Sequence, residues 1–301
     1  MASAVLHRCN ILTLSFSGAG HLLPYHLGVA SALYKKMQVD RGTNVNESTS
    51  ITAPIKAVSG SSSGAIAATI YAYFPHRIEE YADRFISDGG RAMFHLKGIM
   101  NEEELNSLSN GLPDENKLDS LTSPCLHIAT TRCSDGLLRL FDFPSLPEGG
   151  KEQLFKCLEA SCKIPRHFHP FDVLPNRWSP PSTYPEEDGV VIDGNSYVDG
   201  GISAPAPPTP LDSVEGAVRI VVSPISGSIS DEANAIRISP ADDSWRLFPM
   251  NITCRGNFSV RPSMQNIRAL QTSAGVASTI VLREWFERGV NDGSAAVMKL
   301  S

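Results

Sequence analysis

Residues 54–74 read PIKAVSGSSSGAIAATIYAYF: a short apolar run, a turn of small residues and an alanine-rich run. This order predicts a buried strand over 54–59, a tight turn, and a buried helix over 65–74. The turn matches the pattern G-x-S-x-G with Gly60, Ser61, Ser62, Ser63 and Gly64. A serine at the centre of such an elbow sits at strained backbone angles before a helix N-terminus, which suits a nucleophile. We therefore predict that Ser62 is a catalytic nucleophile; the alternative is a glycine- and serine-rich loop without chemistry.

Strands and helices alternate outward from this stretch. Apolar runs predict further strands over residues 10–16, 125–132, 137–143, 190–192, 196–198 and 218–222. Apolar residues at helical spacing predict helices over 24–37, 151–162 and 264–289, and residues 75–118 are polar and helical in pattern. We expect loops over 41–53 and 163–188 and irregular structure over 225–262. Strands that alternate with helices indicate an α/β fold, in which helices cover the faces of a sheet.

A second turn of small residues, Gly18-Ala19-Gly20, also lies between a predicted strand and a predicted helix. Backbone N–H groups that point out of such a turn are suited to bind an oxyanion or a phosphate. A dinucleotide fingerprint, G-x-G-x-x-G, is the competing interpretation, but Leu23 stands where its third glycine is required. The turn is therefore predicted to form an oxyanion hole.

A serine nucleophile needs a base, and the histidines do not supply one in the usual place. In α/β-hydrolases the histidine follows the acid near the end of the chain, whereas no histidine here follows His169. His167 and His169 lie in the predicted loop and are more simply explained as exposed side chains. Asp199 ends a short predicted strand and precedes two glycines, so it is the favoured general base. Asp193 is the rival, but its Asp-Gly pair is typical of a hairpin turn.

Composition excludes several classes of protein. The 301 residues carry a formal net charge of −6, so there is no electrostatic reason to expect a nucleic-acid partner. The six cysteines form no C-x-x-C pair, which leaves no zinc pattern and favours reduced thiols in a reducing compartment. The longest apolar stretch near the N-terminus is too short for a signal peptide or a membrane span. We accordingly expect a cytoplasmic protein with no metal, no cofactor and no transmembrane segment.

Taken together and in order, these motifs resemble those of the patatin-like phospholipase family. The matching stretches are residues 17–29 (SGAGHLLPYHLGV), 58–65 (VSGSSSGA) and 197–201 (YVDGG). Four further stretches resemble the branch that contains adipose triglyceride lipase and adiponutrin: residues 131–136 (TRCSDG), 160–165 (ASCKIP), 200–203 (GGIS) and 222–227 (VSPISG). The resemblance runs from about residue 10 to about residue 270 of this chain.

The resemblance implies a three-layer α/β/α sandwich with a central, mostly parallel sheet and a Ser–Asp dyad of Ser62 and Asp199. It also implies an oxyanion hole at Gly18, Ala19 and Gly20, with Gly200 and Gly201 as the supporting motif. The implied division is an N-terminal extension over 1–9, a catalytic domain over 10–270 and a helical segment over 271–301. Leu23 departs from the pattern, because that branch usually has glycine there.

The implied activity is hydrolysis of fatty-acyl esters, as by a triacylglycerol lipase or phospholipase, in lipid catabolism and lipid homeostasis. The implied partners are lipids at a lipid–water interface, at lipid droplets or membranes, and the resemblance also admits a protein co-activator. Two alternatives stay open: an acylglycerol transacylase that uses the same dyad, and a non-catalytic lipid-binding regulator. Apolar side chains before Asp199 are candidates for an acyl entrance or for caps on the core: Phe168, Phe171, Val173, Leu174 and Trp178.

Overall fold

The computed structural model describes residues 11–42, 54–91, 124–144, 150–174, 183–228, 234–275 and 277–300. The predicted extension over 1–9, most of the polar stretch over 75–118, and Trp178 lie outside these residues. No helix within the described ranges combines the length and the apolarity needed to cross a membrane.

A central sheet forms the middle of the molecule. Its strands are β1 (Ile11–Phe16), β2 (Ile55–Ser61), β3 (Cys125–Arg132), β4 (Leu138–Phe143), β5 (Val190–Ile192), β6 (Asn195–Asp199), β7 (Ala217–Val222) and β8 (Ala235–Ile238). The order across the sheet is β5-β6-β3-β2-β1-β7-β8, with β4 paired to β3. Pairings among β3, β2, β1, β7 and β8 are parallel, while β4, β5 and β6 pair antiparallel. The α/β class with a mostly parallel sheet is confirmed.

Helices cover this sheet: α1 (Leu23–Gly42), α2 (Ser63–Tyr73), α3 (Ile78–Ser87), α4 (Gly150–Ser161), α5 (Met264–Ala274) and α6 (Thr279–Leu300). Every residue of α2 is buried, as its alanine-rich sequence predicts. Helices α1 and α6 touch along their backbones, because a Cβ built on Gly28 would lie 2.2 Å from the Phe286 carbonyl oxygen. A Cβ on Gly289 would equally lie 2.2 Å from the Tyr25 carbonyl oxygen, so glycine permits the close approach.

Two expectations about the last third of the chain were wrong in part. Residues 225–262 are not wholly irregular, because Ala235–Ile238 adds a parallel edge strand to β7. Two short paired strands follow, β9 (Ile252–Thr253) and β10 (Ser259–Val260). The helix predicted over 264–289 is two helices, since Gly275 is extended and ends α5. Strands of two to four residues and an interrupted helix are too short to show the periodicity on which the prediction depended.

The pairing of β3 explains why two distant parts of the chain meet. Strand β4 occupies one edge of β3 along Leu126–Thr131, so β2 and β6 must share the other edge. Ser61, the last residue of β2, pairs with Ala129, and Asp199, the last residue of β6, pairs with Thr130. The two strands run in opposite directions along this edge and end at adjacent positions. The residues that follow Ser61 therefore face Asp199.

Candidate active site

Ser62 occupies a strained turn between β2 and α2. Its φ of 51° and ψ of −130° lie in a region that non-glycine residues rarely adopt. The flanking glycines make the turn possible, because a Cβ on Gly60 would lie 2.2 Å from the Gly64 carbonyl oxygen. A Cβ on Gly64 would lie 2.4 Å from the Phe16 carbonyl oxygen. This is the geometry of a nucleophile elbow, with the serine at the N-terminus of a buried helix.

Asp199 is buried beside this serine, near enough for the Ser62 side chain to help lower the pKa of its carboxylate. Burial raises the pKa of Asp199 to about 6, although the hydrogen bond from the Gly201 N–H and the Ser62 side chain lower it. The Gly201 N–H lies 2.7 Å from Oδ1 of Asp199. A carboxylate with a raised pKa is a better proton acceptor and is still ionised near neutral pH. The serine and its predicted base are therefore neighbours at the point where β2 and β6 end.

The C-terminal end of α4 holds the backbone of both residues. The hydroxyl of Ser161 accepts the Ser62 N–H at 2.9 Å and donates to the Ala129 carbonyl oxygen at 2.7 Å. Two residues on, the Lys163 carbonyl oxygen accepts the Asp199 N–H at 2.9 Å. Ser161 is fully buried, so these bonds are shielded from competition with water. One short segment thus positions the predicted nucleophile and the predicted base relative to each other.

The sequence motif ASCKIP contains these two residues, but no sequence pattern specified what they would touch. Ser161 and Lys163 act through a hydroxyl and a backbone carbonyl, and the partners are about 99 and 36 residues away in the chain. The only available signal was the match of residues 160–165 to the family motif. Sequence reasoning therefore noted the motif and missed its role.

The Gly18-Ala19-Gly20 turn lies next to the elbow, but its three N–H groups differ. The Gly18 N–H donates to the Pro205 carbonyl oxygen at 2.9 Å, and the Ala19 N–H donates to Oγ of Ser63 at 3.1 Å. The N–H groups of Gly20 and Ser63 have no hydrogen-bond acceptor within the described part of the chain. In elbow hydrolases the residue after the nucleophile supplies one oxyanion donor. The arrangement thus leaves Gly20 and Ser63 as the unoccupied donors, with Gly18 and Ala19 bonded internally.

The segment after Asp199 is tied to the sheet by serine hydroxyls. Ser61 donates to the Pro205 carbonyl oxygen at 2.8 Å, the same oxygen that accepts the Gly18 N–H. Ser15 and Ser59 both donate to the Pro207 carbonyl oxygen, at 2.7 and 2.6 Å. These bonds connect β1, β2 and the chain that follows the base. Gly200 completes the fit, because a Cβ there would lie 2.1 Å from the Ala129 carbonyl oxygen.

The rival residues lie elsewhere. Asp193 is exposed in the tight turn between β5 and β6, with a φ of 49°, as expected for a hairpin Asp-Gly. The His167 ring is 77% exposed and lies 3.5 Å from Asp188. His26 approaches the oxyanion turn from α1, but its Nε2 lies 2.8 Å from the Ser17 carbonyl oxygen. Burial lowers the pKa of His26 to about 3, so it is a neutral structural residue.

The side chains proposed as an acyl entrance are only partly described. Phe168 packs against the buried cluster of Cys133, Tyr184, Val198 and Ile202. Val173 and Leu174 pack against a second cluster, which contains Ala206, Val221, Cys254 and Phe258. Leu23, the departure from the family pattern, is fully buried in the main core. Its side chain therefore packs into the core beneath the oxyanion turn.

Comparison with known proteins agrees with the motifs. The family model for patatin-like phospholipase matches residues 14–212. Patatin-like phospholipase domain-containing protein 2 from Bos taurus is 28% identical over 290 residues, covering 93% of this chain and 49% of the relative. The protein of the same name from Rattus norvegicus is 28% identical over 283 residues, again with 93% and 49% coverage. The chain thus spans about half the length of the curated relatives it matches.

A likeness to a solved structure was also found. The crystal structure of VipD from Legionella pneumophila superposes with a TM-score of 0.41 at 12% identity. The superposition covers 96% of this chain and 67% of VipD.

Proposed function

Because the chain belongs to the patatin-like phospholipase family, we propose that it is a serine hydrolase that cleaves fatty-acyl esters of lipids through a Ser62–Asp199 dyad. Membership of the family supports lipid acyl-hydrolase chemistry in general. The observation that carries the dyad is the position of the buried Asp199 beside Ser62, where β2 and β6 end at adjacent positions of β3. The strained elbow and the raised pKa of Asp199 support the same assignment.

In the proposed first half-reaction, Oγ of Ser62 attacks the ester carbonyl carbon while Asp199 takes the hydroxyl proton. The N–H groups of Gly20 and Ser63 then donate to the oxyanion of the tetrahedral intermediate. One such donor is typically worth about 3–4 kcal/mol of transition-state stabilisation. Collapse of the intermediate breaks the ester bond, and Asp199 returns the proton to the leaving alcohol. An acyl group remains esterified to Ser62.

In the second half-reaction, Asp199 accepts a proton from water, which attacks the acyl carbonyl carbon. Collapse of this second tetrahedral intermediate breaks the bond to Oγ of Ser62, which takes the proton back from Asp199, and the fatty acid leaves. We propose triacylglycerols and phospholipids as the substrate class and lipid catabolism and homeostasis as the role. The location at lipid droplets or membranes and a co-activator stay predictions from the resemblance, and the cytoplasmic compartment stays a prediction from composition.

Paired variants test the dyad. Ser62→Ala and Asp199→Asn should each reduce hydrolysis of a soluble short-chain nitrophenyl ester by at least about a thousand-fold, because each removes a reacting group. Asp193→Asn is the matched control, since it changes the other Asp-Gly aspartate and should leave the rate unchanged. Circular dichroism would confirm that all three variants fold. If Asp199→Asn kept most of the activity, the dyad would be wrong.

A lipid panel addresses the substrate. Release of fatty acid would be measured from triacylglycerol, diacylglycerol, phosphatidylcholine and a retinyl ester, with Ser62→Ala as the blank. Repeating the assay with an added acylglycerol acceptor separates water from a lipid alcohol as the final acyl acceptor. Acyl transfer in place of release would support the transacylase alternative.

A further inference from the structure

Residues 244–275 have an unusual charge for this chain. They contain four arginines, Arg246, Arg255, Arg261 and Arg268, and no aspartate or glutamate. The whole chain has a net charge of −6, so the remainder is correspondingly acidic. Arg261 lies 3.6 Å from the buried carboxylate of Asp242. Arg246 and Arg268 are exposed and have no carboxylate partner among the described residues, whereas Arg255 is half-buried. The exposed Asp243 directly precedes the segment, and this part of the surface keeps a net positive charge.

The same segment exposes large apolar side chains. Residues 245–252 read WRLFPMNI, and the exposed members are Trp245, Leu247, Phe248, Met250 and Ile252. Trp245 is 86% exposed and Met250 is 78% exposed, which is far from their usual burial in a folded protein. Contiguous exposed apolar surface marks a site that another surface covers.

The segment is ordered by backbone bonds. The Leu247 N–H donates to the Pro262 carbonyl oxygen at 2.8 Å, and the Met264 N–H donates to the Trp245 carbonyl oxygen at 3.2 Å. Arg246 and Ser263 form an antiparallel bridge between these two contacts. The backbone is thus held against the start of α5, and the apolar side chains project from a defined support.

The segment also lies at the carboxyl ends of the parallel strands, where the candidate active site is. It follows β8, which runs parallel to β7, and β1 and β2 run in the same direction. Its distal part reaches the chain after Asp199, since a Cβ on Gly256 would lie 3.7 Å from Cα of Ala204. Phe258 packs with Ala206 in the same buried cluster. The exposed apolar residues of the segment and the proposed dyad therefore lie at the same end of the parallel strands.

We propose that residues 245–252, which include Arg246, form a docking surface for an anionic phospholipid layer together with Arg268. Trp and Phe insert at the level of the head groups, while the arginines meet lipid phosphates. The charge complementarity favours an anionic lipid surface over a protein partner or a second copy of this acidic chain. The inference deepens the proposed function, because it gives the lipid substrate a surface from which to reach Ser62.

Vesicle binding tests the proposal on the full chain. Co-sedimentation would be measured with vesicles of phosphatidylcholine alone and of phosphatidylcholine mixed with phosphatidylserine. We expect stronger binding to the mixed vesicles. Trp245→Ser combined with Met250→Ser should weaken that binding about ten-fold or more, because it removes apolar contact area. Arg246→Gln with Arg268→Gln should weaken it about five-fold for each arginine and abolish the preference for phosphatidylserine.

The control carries two serine substitutions at exposed apolar residues outside the segment, Val191→Ser and Met298→Ser, which are 63% and 74% exposed in the native chain. It should bind vesicles like the native chain. The loop variant is the chain with Trp245→Ser and Met250→Ser. Equal vesicle binding by the loop variant and the control would overturn the proposal. So would a native chain that ignores vesicles but forms dimers that Trp245→Ser disrupts in light scattering.

Hydrolysis of the soluble nitrophenyl ester separates this proposal from the proposed function. The loop variant should keep that activity and lose only hydrolysis of vesicle-borne lipid. Ser62→Ala should bind vesicles normally and hydrolyse neither substrate. Binding without any hydrolysis by the native chain would thus overturn the function alone.

Discussion

The serine half and the aspartate half of the candidate site are built in different ways. Ser62 lies in a local strand–turn–helix unit, and the residues that clear space for its strained backbone are Gly60 and Gly64, two positions away. Asp199 ends a five-residue strand, and its side chain caps the 3-10 helix that follows by accepting the Gly201 N–H. Its position relative to Ser62 depends on β3, on the Lys163 carbonyl and on burial by distant segments. Local geometry therefore shapes the turn of the predicted nucleophile, and tertiary packing brings the predicted base to it.

Gly60→Ala should have the largest effect, because it removes the steric clearance that the Ser62 turn requires. The added Cβ would meet the Gly64 carbonyl oxygen at 2.2 Å and the Ala65 nitrogen at 2.6 Å, both backbone atoms. We expect a loss of about 3 kcal/mol in the free energy of unfolding and no detectable hydrolysis. Urea unfolding measures the first and the nitrophenyl ester assay the second. Gly275→Ala is the control, since its Cβ would meet only Gln271 at 3.5 Å; equal stability of the two variants would contradict the steric account.

The pH dependence of hydrolysis tests the role of Asp199, whose burial depends on tertiary packing. Burial raises the pKa of Asp199 to about 6, and only the ionised carboxylate accepts the Ser62 proton. The rate should therefore be flat above about pH 7 and fall about ten-fold per pH unit below pH 6. The measurement is kcat/KM for the soluble ester from about pH 4 to about pH 8. Asp193→Asn should reproduce the native profile, whereas a midpoint near the usual aspartate value would argue against a buried base.

Ser161→Ala tests whether the end of α4 positions Ser62 relative to Asp199. The variant leaves the Ser62 N–H and the Ala129 carbonyl without their hydroxyl partner, so kcat should fall about ten-fold with little change in KM. Ser59→Ala is a matched control, because Ser59 is equally buried and bonds to Pro207 rather than to Ser62. Ser161→Thr should recover part of the lost kcat. A loss of stability shared by both alanine variants, without a specific drop in kcat for Ser161→Ala, would reduce Ser161 to a packing residue.

Ser63→Ala should have the smallest effect. It removes the side chain that accepts the Ala19 N–H, but it keeps the Ser63 N–H that we assign to the oxyanion hole. We expect about a three-fold drop in kcat, because the oxyanion turn loses one neutral hydrogen bond. Steady-state kinetics with the soluble ester would measure it, with Ser15→Ala as the control at a hydroxyl that bonds to Pro207. An unchanged kcat would mean that the elbow does not organise the turn.

Much of the site was predictable because its signals are local. The G-x-S-x-G elbow, the small-residue turn before α1 and the Asp-Gly-Gly at a strand end each occupy a few consecutive residues. The lack of a histidine after His169 then directed attention to an aspartate. The hairpin assignment of Asp193 is confirmed by its exposed turn.

Other features were not predictable, because their signals are short or non-local. Strand β8 has only four residues, too few for a reliable alternation signal, and it is recognised as a strand by its pairing with β7. Two of the three N–H groups in the Gly18-Ala19-Gly20 turn donate hydrogen bonds to Pro205 and Ser63, which are far away in the chain. A resemblance to a motif identified residues 160–165 without their contacts.

The sequence by itself predicted the elbow, and the clearance at Gly60 is local because it concerns Gly64 and Ala65. The clearance at Gly64 is tertiary, because it concerns Phe16 in β1. The sequence also favoured a carboxylate over a late histidine as the base. Only the tertiary structure decided that Asp199 meets Ser62, because β2 and β6 must end side by side on one edge of β3. It also decided the raised pKa of Asp199, since the cost of burying a charge depends on every segment that excludes water from it.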